Sequence, residues 1–277
     1  MANTPSLVRH VHNEDGPGPD ERFSQLRRRV WTRRLVLKRP TVVVPSRKLA
    51  SVARETWGVD DRRLVYVPNG VVPNGVDLDR FPAPDTRPPR RLPPGPVIGT
   101  VAALRPEKNI ARLLRAFARV VTTIGARLVV AGDGAERPKL VGLARDLGVA
   151  DRVHFTGHVA HPEHLYAGFD VFALSSDTEQ MPFSVLEVMA SGLPVAGTDV
   201  GDVGAMVARE NRAFIAPLDD HALAERLRTL ASDPSLARRV GAANRAKAVR
   251  EFDQERMFVA YADLWRGPSG QGPGSEA

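Results

Sequence analysis

The chain has 277 residues, 43% of them hydrophobic, and carries 39 basic against 32 acidic side chains, a net charge of +7. That length accommodates one large or two modest domains, and that apolar content suffices for a packed core, which excludes a globally disordered chain. No run of about eighteen apolar residues occurs, and the absence of cysteine removes disulfides and thiolate metal sites.

The first residues, Met1-Ala-Asn-Thr-Pro-Ser, lack the basic-then-apolar layout of a secretory signal. Together with the missing cysteines this leads to an expected cytoplasmic location. From Glu21 to Arg39 the chain places eight basic residues (Arg22, Arg27, Arg28, Arg29, Arg33, Arg34, Lys38, Arg39) against one acid, so the remainder is balanced at 31 against 31. Phe23, Leu26, Val30 and Leu37 fall near one helical face of this stretch, which predicts a basic amphipathic helix. Residues 21–39 could lie on anionic headgroups at the inner face of the cell membrane, or form a solvated helix of the domain. No nucleic-acid-binding motif accompanies the charge, so no nucleic-acid partner is expected.

A short strand is expected at 41–46, a helix from Lys48 to Trp57 stopped by Gly58, and a strand at 64–67. Pro68-Asn69-Gly70-Val71 recurs at once as Pro73-Asn74-Gly75-Val76-Asp77, two turn signals in tandem. Residues 82–96 hold seven prolines and read as a semi-rigid linker.

Beyond the linker, strands and helices alternate. Strands are expected at Val97–Ala102, Arg127–Ala131, Val153–Thr156, Asp170–Ser175 and Pro194–Thr198. Helices are expected at Lys108–Thr123, Glu136–Leu147, Pro182–Ser191 and Val203–Ala208. This order predicts an α/β fold, a Rossmann-like parallel sheet with helices on both faces. Helices at 219–232, 235–251 and 253–266 are expected to close it. The Gly- and Pro-rich tail 267–277 is disordered by composition.

The most informative stretch runs from Ser175 to Val195. Pro182 is expected to open a helix, the missing N–H being an orphan at the first helical position anyway. The amides of Phe183, Ser184 and Val185, with the helix dipole, then form a phosphate site. Glu179 and Glu187 flank these amides with seven residues between them. One can reach past the phosphates to a sugar, and the other can accept hydrogen bonds from a ribose diol. Gly192 stops the helix before Leu193-Pro194-Val195.

Glu179-x7-Glu187 followed by Met-Ala-Ser-Gly-Leu-Pro-Val resembles the donor-site signature of retaining glycosyltransferases of family 4, which have the GT-B fold. The second Pro-Asn-Gly-Val-Asp copy, Gly132-Asp133-Gly134, and Phe155-Thr156-Gly157-His158-Val159 also resemble family motifs. The resemblance implies a partial N-terminal, acceptor-side domain (1–81), the linker (82–96) and a complete nucleotide-sugar-binding domain (97–252). A C-terminal helix (253–266) and the tail follow. It also implies that most of the acceptor-facing half has no counterpart in this chain.

By resemblance, the activity is transfer of a sugar from a nucleoside diphosphate to a glycan or lipid-linked acceptor with retention of configuration. Lys108 matches a phosphate lysine. The arginine expected five residues earlier is replaced by Ala103, and Arg105 of the same loop is the candidate substitute. Glu179 would position the transferred sugar and Glu187 would hold the ribose. Gly99, Gly132, Gly134, His158, Val159, Met181, Pro182, Phe183 and Ser184 would line the donor, with Asp199–Gly204 bordering its sugar. His10 and His12 resemble the cleft end of an N-domain strand, a possible acceptor side. UDP or GDP is the expected carrier. The resemblance also implies metal independence, so no metal and no other cofactor is expected. His158, His161 and His164 are evenly spaced, but no fourth ligand is in view for a zinc site. Two other readings stay open: a partner-dependent donor-binding subunit, and a basic membrane adaptor built on a decayed enzyme.

Overall fold

The structure, a computed structural model, describes residues 10–16, 25–69 and 95–266. Phe23, the second Pro-Asn-Gly-Val motif, most of the linker and the tail 267–277 lie outside them. The chain divides into two compact units, residues 1–69 with 254–277 and residues 70–253.

In the first unit, β1 (Val11–Asn13), β2 (Thr41–Val44) and β3 (Leu64–Tyr66) form a parallel sheet in the order β1-β2-β3. Helices α1 (Arg27–Val36) and α2 (Arg47–Glu55) connect them. The buried Ser46 caps α2 by accepting from the Leu49 amide at 3.0 Å. Leu49, Ala53 and Trp57 pack on Val42 and Val44, with Leu37 and Val59 completing the core. Helix α1 differs from its expected face: it buries none of its residues, and Trp31, Leu35 and Val36 are exposed. Val30 packs only partly against the core, and Leu37 is buried beyond the helix end. Two of its arginines are used internally. Arg33 lies 4.8 Å over the Trp57 ring and donates to Gly16 O and Glu14, while Arg34 donates to Thr56 O at 2.8 Å. The final helix, Gln254–Arg266, groups with this unit rather than closing the second.

The second unit is a six-stranded parallel sheet. Its strands are β4 (Val97–Val101), β5 (Arg127–Ala131), β6 (Val153–Gly157), β7 (Val171–Leu174), β8 (Val195–Thr198) and β9 (Ile215–Ala216). The order is β6-β5-β4-β7-β8-β9, so the connection reverses direction between β4 and β7. Ligands of open α/β sheets bind outside the carboxyl ends of the strands at such a reversal.

The helices are α3 (Ile110–Ile124), α4 (Arg137–Asp146), α5 (Glu163–Tyr166), α6 (Phe183–Ala190), α7 (Val203–Met206), α8 (Asp220–Ser232) and α9 (Pro234–Glu251). Alternate residues along each strand feed two cores. Ile98, Val171, Ala173 and Ala196 meet α3, α4 and α8 on one face. Val97, Phe172, Leu174 and Val195 meet α5, α6, α7 and the end of α9 on the other. Both faces being covered, the strands read as continuous apolar runs. The stripe Ile110, Leu113, Leu114, Phe117, Val120 and Val121 of α3 is buried throughout. Each large side chain so buried contributes roughly 1.5–3 kcal/mol, so α3 is held by packing rather than propensity.

Three boundaries differ instructively from expectation. Helix α3 starts at Ile110, not Lys108, because Pro106–Lys108 form a 3-10 turn ending at Asn109, whose φ of 42° is left-handed. Asparagine tolerates that conformation, and its side chain then caps α3 by accepting from the Arg112 amide at 3.1 Å. Helix α6 starts at Phe183, with Pro182 as the extended residue before it. Strand β9, two residues long, was not expected. Just before it, Asn211 mimics a further strand residue, its side-chain amide pairing with both Val195 N and O at 2.8 Å.

Candidate functional site

Three loops meet at the carboxyl ends of β4, β5 and β7. The β4 and β5 loops are sewn together: Leu104 N donates to Asp133 O at 2.9 Å, and Ala102 N to Ala131 O at 3.0 Å. This contact requires glycine. At Gly132, where φ is +138°, a Cβ would lie 1.9 Å from Ala102 O, and at Gly134 one would lie 2.4 Å from Leu104 O. Asp133 accepts from the Gly134 amide and from Arg137. These bonds, the Gly134 one foremost, hold its carboxyl below the usual range, with His158 adding a nearby charge when protonated.

The β4 and β7 loops are joined more tightly. Asp177 N donates to Glu107 O at 2.8 Å, and Ser175 Oγ to Lys108 O at 3.0 Å. Arg112, 8% exposed on α3, donates through Nη1 to Ser175 O at 2.9 Å and to Asp177 Oδ1 at 2.8 Å; Asn109 Nδ2 reaches the same oxygen at 3.0 Å. This buried clamp fixes the loop two residues before Glu179. Lys108 Nζ lies 2.5 Å from Glu179 Oε1, which also accepts from Ser176 Oγ at 2.7 Å. Thus the expected phosphate lysine and sugar carboxylate form one ion pair at the reversal point. The Gly201 turn closes over them, with Asp202 N donating to Gln180 O at 2.9 Å and no room for a Cβ against Glu179 O.

Helix α6 begins four residues after Glu179. The amide of Val185 is not available, since it donates to Pro182 O at 3.1 Å. That corrects its expected place in the phosphate site and leaves the amides of Phe183 and Ser184 as the candidates there. Met181 is buried in the core under the loop, so its side chain is packing and only its backbone belongs to the site. Gly99 is likewise a packing residue, because a Cβ there would stand 2.2 Å from the Phe169 ring. Glu187, half-buried on α6, accepts from the Tyr166 hydroxyl. Arg105 is exposed and makes no side-chain hydrogen bond or ion pair among the described residues, and Ala103 beside it is exposed too. His158 is exposed and Val159 half-buried after β6. His161 pairs with Glu163 at 3.3 Å, and no cluster of three or more metal-ligating side chains occurs among the described residues. His10 and His12 belong to the first unit, where His12 Nε2 lies 3.4 Å from Glu14.

The sequence reading missed the Arg112–Asp177–Asn109 clamp and the Tyr166–Glu187 bond. Asp177 had one available signal, an acid in the loop beside Glu179. A helical arginine and a tyrosine sixty-odd positions or one helix away carry none, because only the fold brings them there.

The model for glycosyl transferases group 1 matches residues 85–247, more than half of the chain. The chain belongs to that family. As a group 1 domain, it is 28% identical over 166 residues to N-acetyl-alpha-D-glucosaminyl L-malate synthase of Bacillus anthracis, covering 60% of this chain and 44% of that protein. It is 32% identical over 215 residues to a GDP-mannose-dependent alpha-(1-6)-phosphatidylinositol monomannoside mannosyltransferase of Mycobacterium tuberculosis, covering 71% and 55%. The Anabaena protein Alr3699/HepE, solved in complex with UDP and glucose, superposes with a TM-score of 0.77 at 21% identity, covering 94% of this chain and 72% of that one. The group 1 match and this structural neighbour bear out the expected fold class. The chain spans about half the length of the curated relatives it matches.

Proposed function

We propose that this chain transfers a sugar from a nucleoside diphosphate to a glycan or lipid-linked acceptor, keeping the anomeric configuration as the family 4 resemblance implies. The observation that carries this is the Lys108–Glu179 pair at the sheet reversal, its glutamate four residues ahead of the start of α6. In the reaction the bond from the sugar's anomeric carbon to the diphosphate oxygen breaks, one to the acceptor oxygen forms, and the acceptor hydroxyl's proton is released to the leaving diphosphate or to solvent. Charge developing on the leaving diphosphate is met by Lys108, by the two amides and by Arg105, whose exposed side chain can turn toward it. Glu179 holds the transferred sugar, and Glu187 takes the ribose. Gly132, Gly134, His158 and Val159 border the nucleotide. UDP and GDP are the carriers to test, one being bound by the Anabaena neighbour and the other named for the mycobacterial relative.

Thermal stabilisation by UDP, GDP and ADP tests the site. A ligand at a hundred times its dissociation constant adds about 2.7 kcal/mol to stability. One of the three is expected to raise the melting temperature of the wild type, and Glu187→Ala to abolish most of the rise. No response to any of them sinks the reading of a working donor site.

A second partner is favoured by the surface of α1. Trp31 is 66% exposed and Leu35 48%, one turn apart, with Arg27 and Arg28 exposed on the preceding turn and Lys38 and Arg39 after it. An aromatic and aliphatic patch framed by cations suits the headgroup layer of an anionic membrane. Among the described residues no helix is long and apolar enough to cross a membrane. Co-sedimentation with vesicles containing phosphatidylglycerol is expected to weaken several-fold on Trp31→Ser, and to be insensitive to Glu187→Ala. Equal binding to neutral vesicles removes the proposal. Vesicle binding in a chain without nucleotide affinity leaves the adaptor reading instead.

A further inference from the structure

Tyr166 ends α5 with its side chain fully buried, its ring edge-on to Phe169 and Phe172 at centroid distances of 6.1 and 6.4 Å. A phenylalanine would serve that packing equally well. The hydroxyl is the part that needs another explanation, because a phenol carried into a core must find a partner. It donates across to α6, to Glu187 Oε2. Burial first, and then the nearby carboxylates of Glu187 and Glu163, push the phenol well above its usual range, so the oxygen remains a protonated donor.

The consequence falls on Glu187. The last torsion of a glutamate is broad and roughly two-fold, so a half-buried carboxylate has no strong preference of its own for the plane it adopts. A carboxylate offers about four acceptor positions in that plane. A donor fixed in the core engages one of them and so sets where the others point. A vicinal diol is a demanding partner, because its two hydroxyls must both find acceptor directions at once.

We propose that Tyr166 is a positioning residue that sets the carboxylate plane of Glu187, and through it the preference of the site for a ribose over a deoxyribose nucleotide. This rests on the assignment of Glu187 to the ribose. The contribution is confined to the diol. The diphosphate is held elsewhere, by Lys108 and the start of α6, so an error in the Glu187 plane should leave the phosphate-dependent part of the affinity intact.

The test compares UDP with 2′-deoxy-UDP (or GDP with 2′-deoxy-GDP, if guanine is the base the wild type binds) by calorimetric titration of the full chain. The proteins are the wild type, Tyr166→Phe and Glu187→Gln. Tyr166→Phe keeps the ring and its edge contacts and removes only the hydroxyl. We expect it to weaken the ribonucleotide roughly 3- to 10-fold, the scale of one ordinary hydrogen bond, while the deoxynucleotide changes by less than about two-fold. Glu187→Gln should erase most of the ribose preference. If Tyr166→Phe weakens both nucleotides equally, Tyr166 is structural and the proposal fails. If it keeps the preference that Glu187→Gln erases, only the role of Tyr166 is overturned. If Glu187→Gln itself keeps the preference, the ribose assignment of Glu187 is wrong and the proposal falls with it.

Discussion

Lys108→Ala is expected to lower sugar transfer by roughly 10²- to 10³-fold, the usual loss when one preorganised group that stabilises developing charge is removed. The loss should appear in kcat as well as in kcat/KM, since the charge on the diphosphate grows as the glycosidic bond breaks. The lysine is engaged in the structure, 2.5 Å from Glu179 and part-buried. A diphosphate entering the site therefore competes with Glu179 for one ammonium. Glu179→Gln should consequently separate the two activities. Transfer falls because the sugar loses its carboxylate, whereas the free nucleoside diphosphate binds several-fold more tightly because Lys108 is released to it. Steady-state rates with a radiolabelled donor, alongside titration with the nucleotide alone, read both effects. Transfer by Lys108→Ala within about three-fold of the wild type would remove the lysine from the leaving-group role.

The second large effect is expected at Arg112. Its guanidinium ties Asp177 and the Ser175 carbonyl, and its Nε lies 3.6 Å from Asp220, beyond hydrogen-bond reach but still an ionic contact. Arg112→Met preserves much of the packing but leaves Asp177, whose side chain is 11% exposed, with Asn109 as its remaining side-chain partner in the clamp. Removing one member of a buried ion pair costs on the order of 3 kcal/mol. For a unit of this size that corresponds to roughly 6–12 °C in melting temperature. The double variant Arg112→Met with Asp177→Leu should regain much of this stability, because an apolar pair of similar volume avoids the uncompensated buried charge. Transfer should not return with it. Glu179 follows Asp177 by two residues, and its placement depends on the clamp. A melting scan and a rate on both variants decide the point: full recovery of transfer in the double variant would show that Arg112 supports the fold but not the loop.

Much of the second unit could be read locally. The buried runs of β5 and β8, the six-residue apolar stripe of α3, and Gly192 as a left-handed stop are set by side-chain period and by backbone sterics, which act within a few residues. The stretch from Glu179 to Glu187 was legible as a loop leading into a helix for the same reason, since a loop, a proline and a helix start are all local features. The α1 surface was legible as charge but not in its packing. The sequence cannot say that Arg33 turns inward onto Trp57, or that Trp31 and Leu35 stay exposed. Nor could it distinguish Gly99, which admits a phenylalanine ring, from Gly132, which admits a neighbouring loop.

What the tertiary structure alone decided is which distant groups share a site. Lys108 and Glu179 are 71 positions apart, and Arg112 and Asp177 are 65 apart. They meet because β4 and β7 pair at the centre of the sheet, a choice made by the burial of both faces and by strand pairing rather than by any signal near those residues. Tyr166 and Glu187 meet because α5 and α6 pack over the same apolar face. Local sterics and hydrophobic period determine the elements, but the energy of burying them together determines which loop ends converge, and the chemistry resides in that convergence.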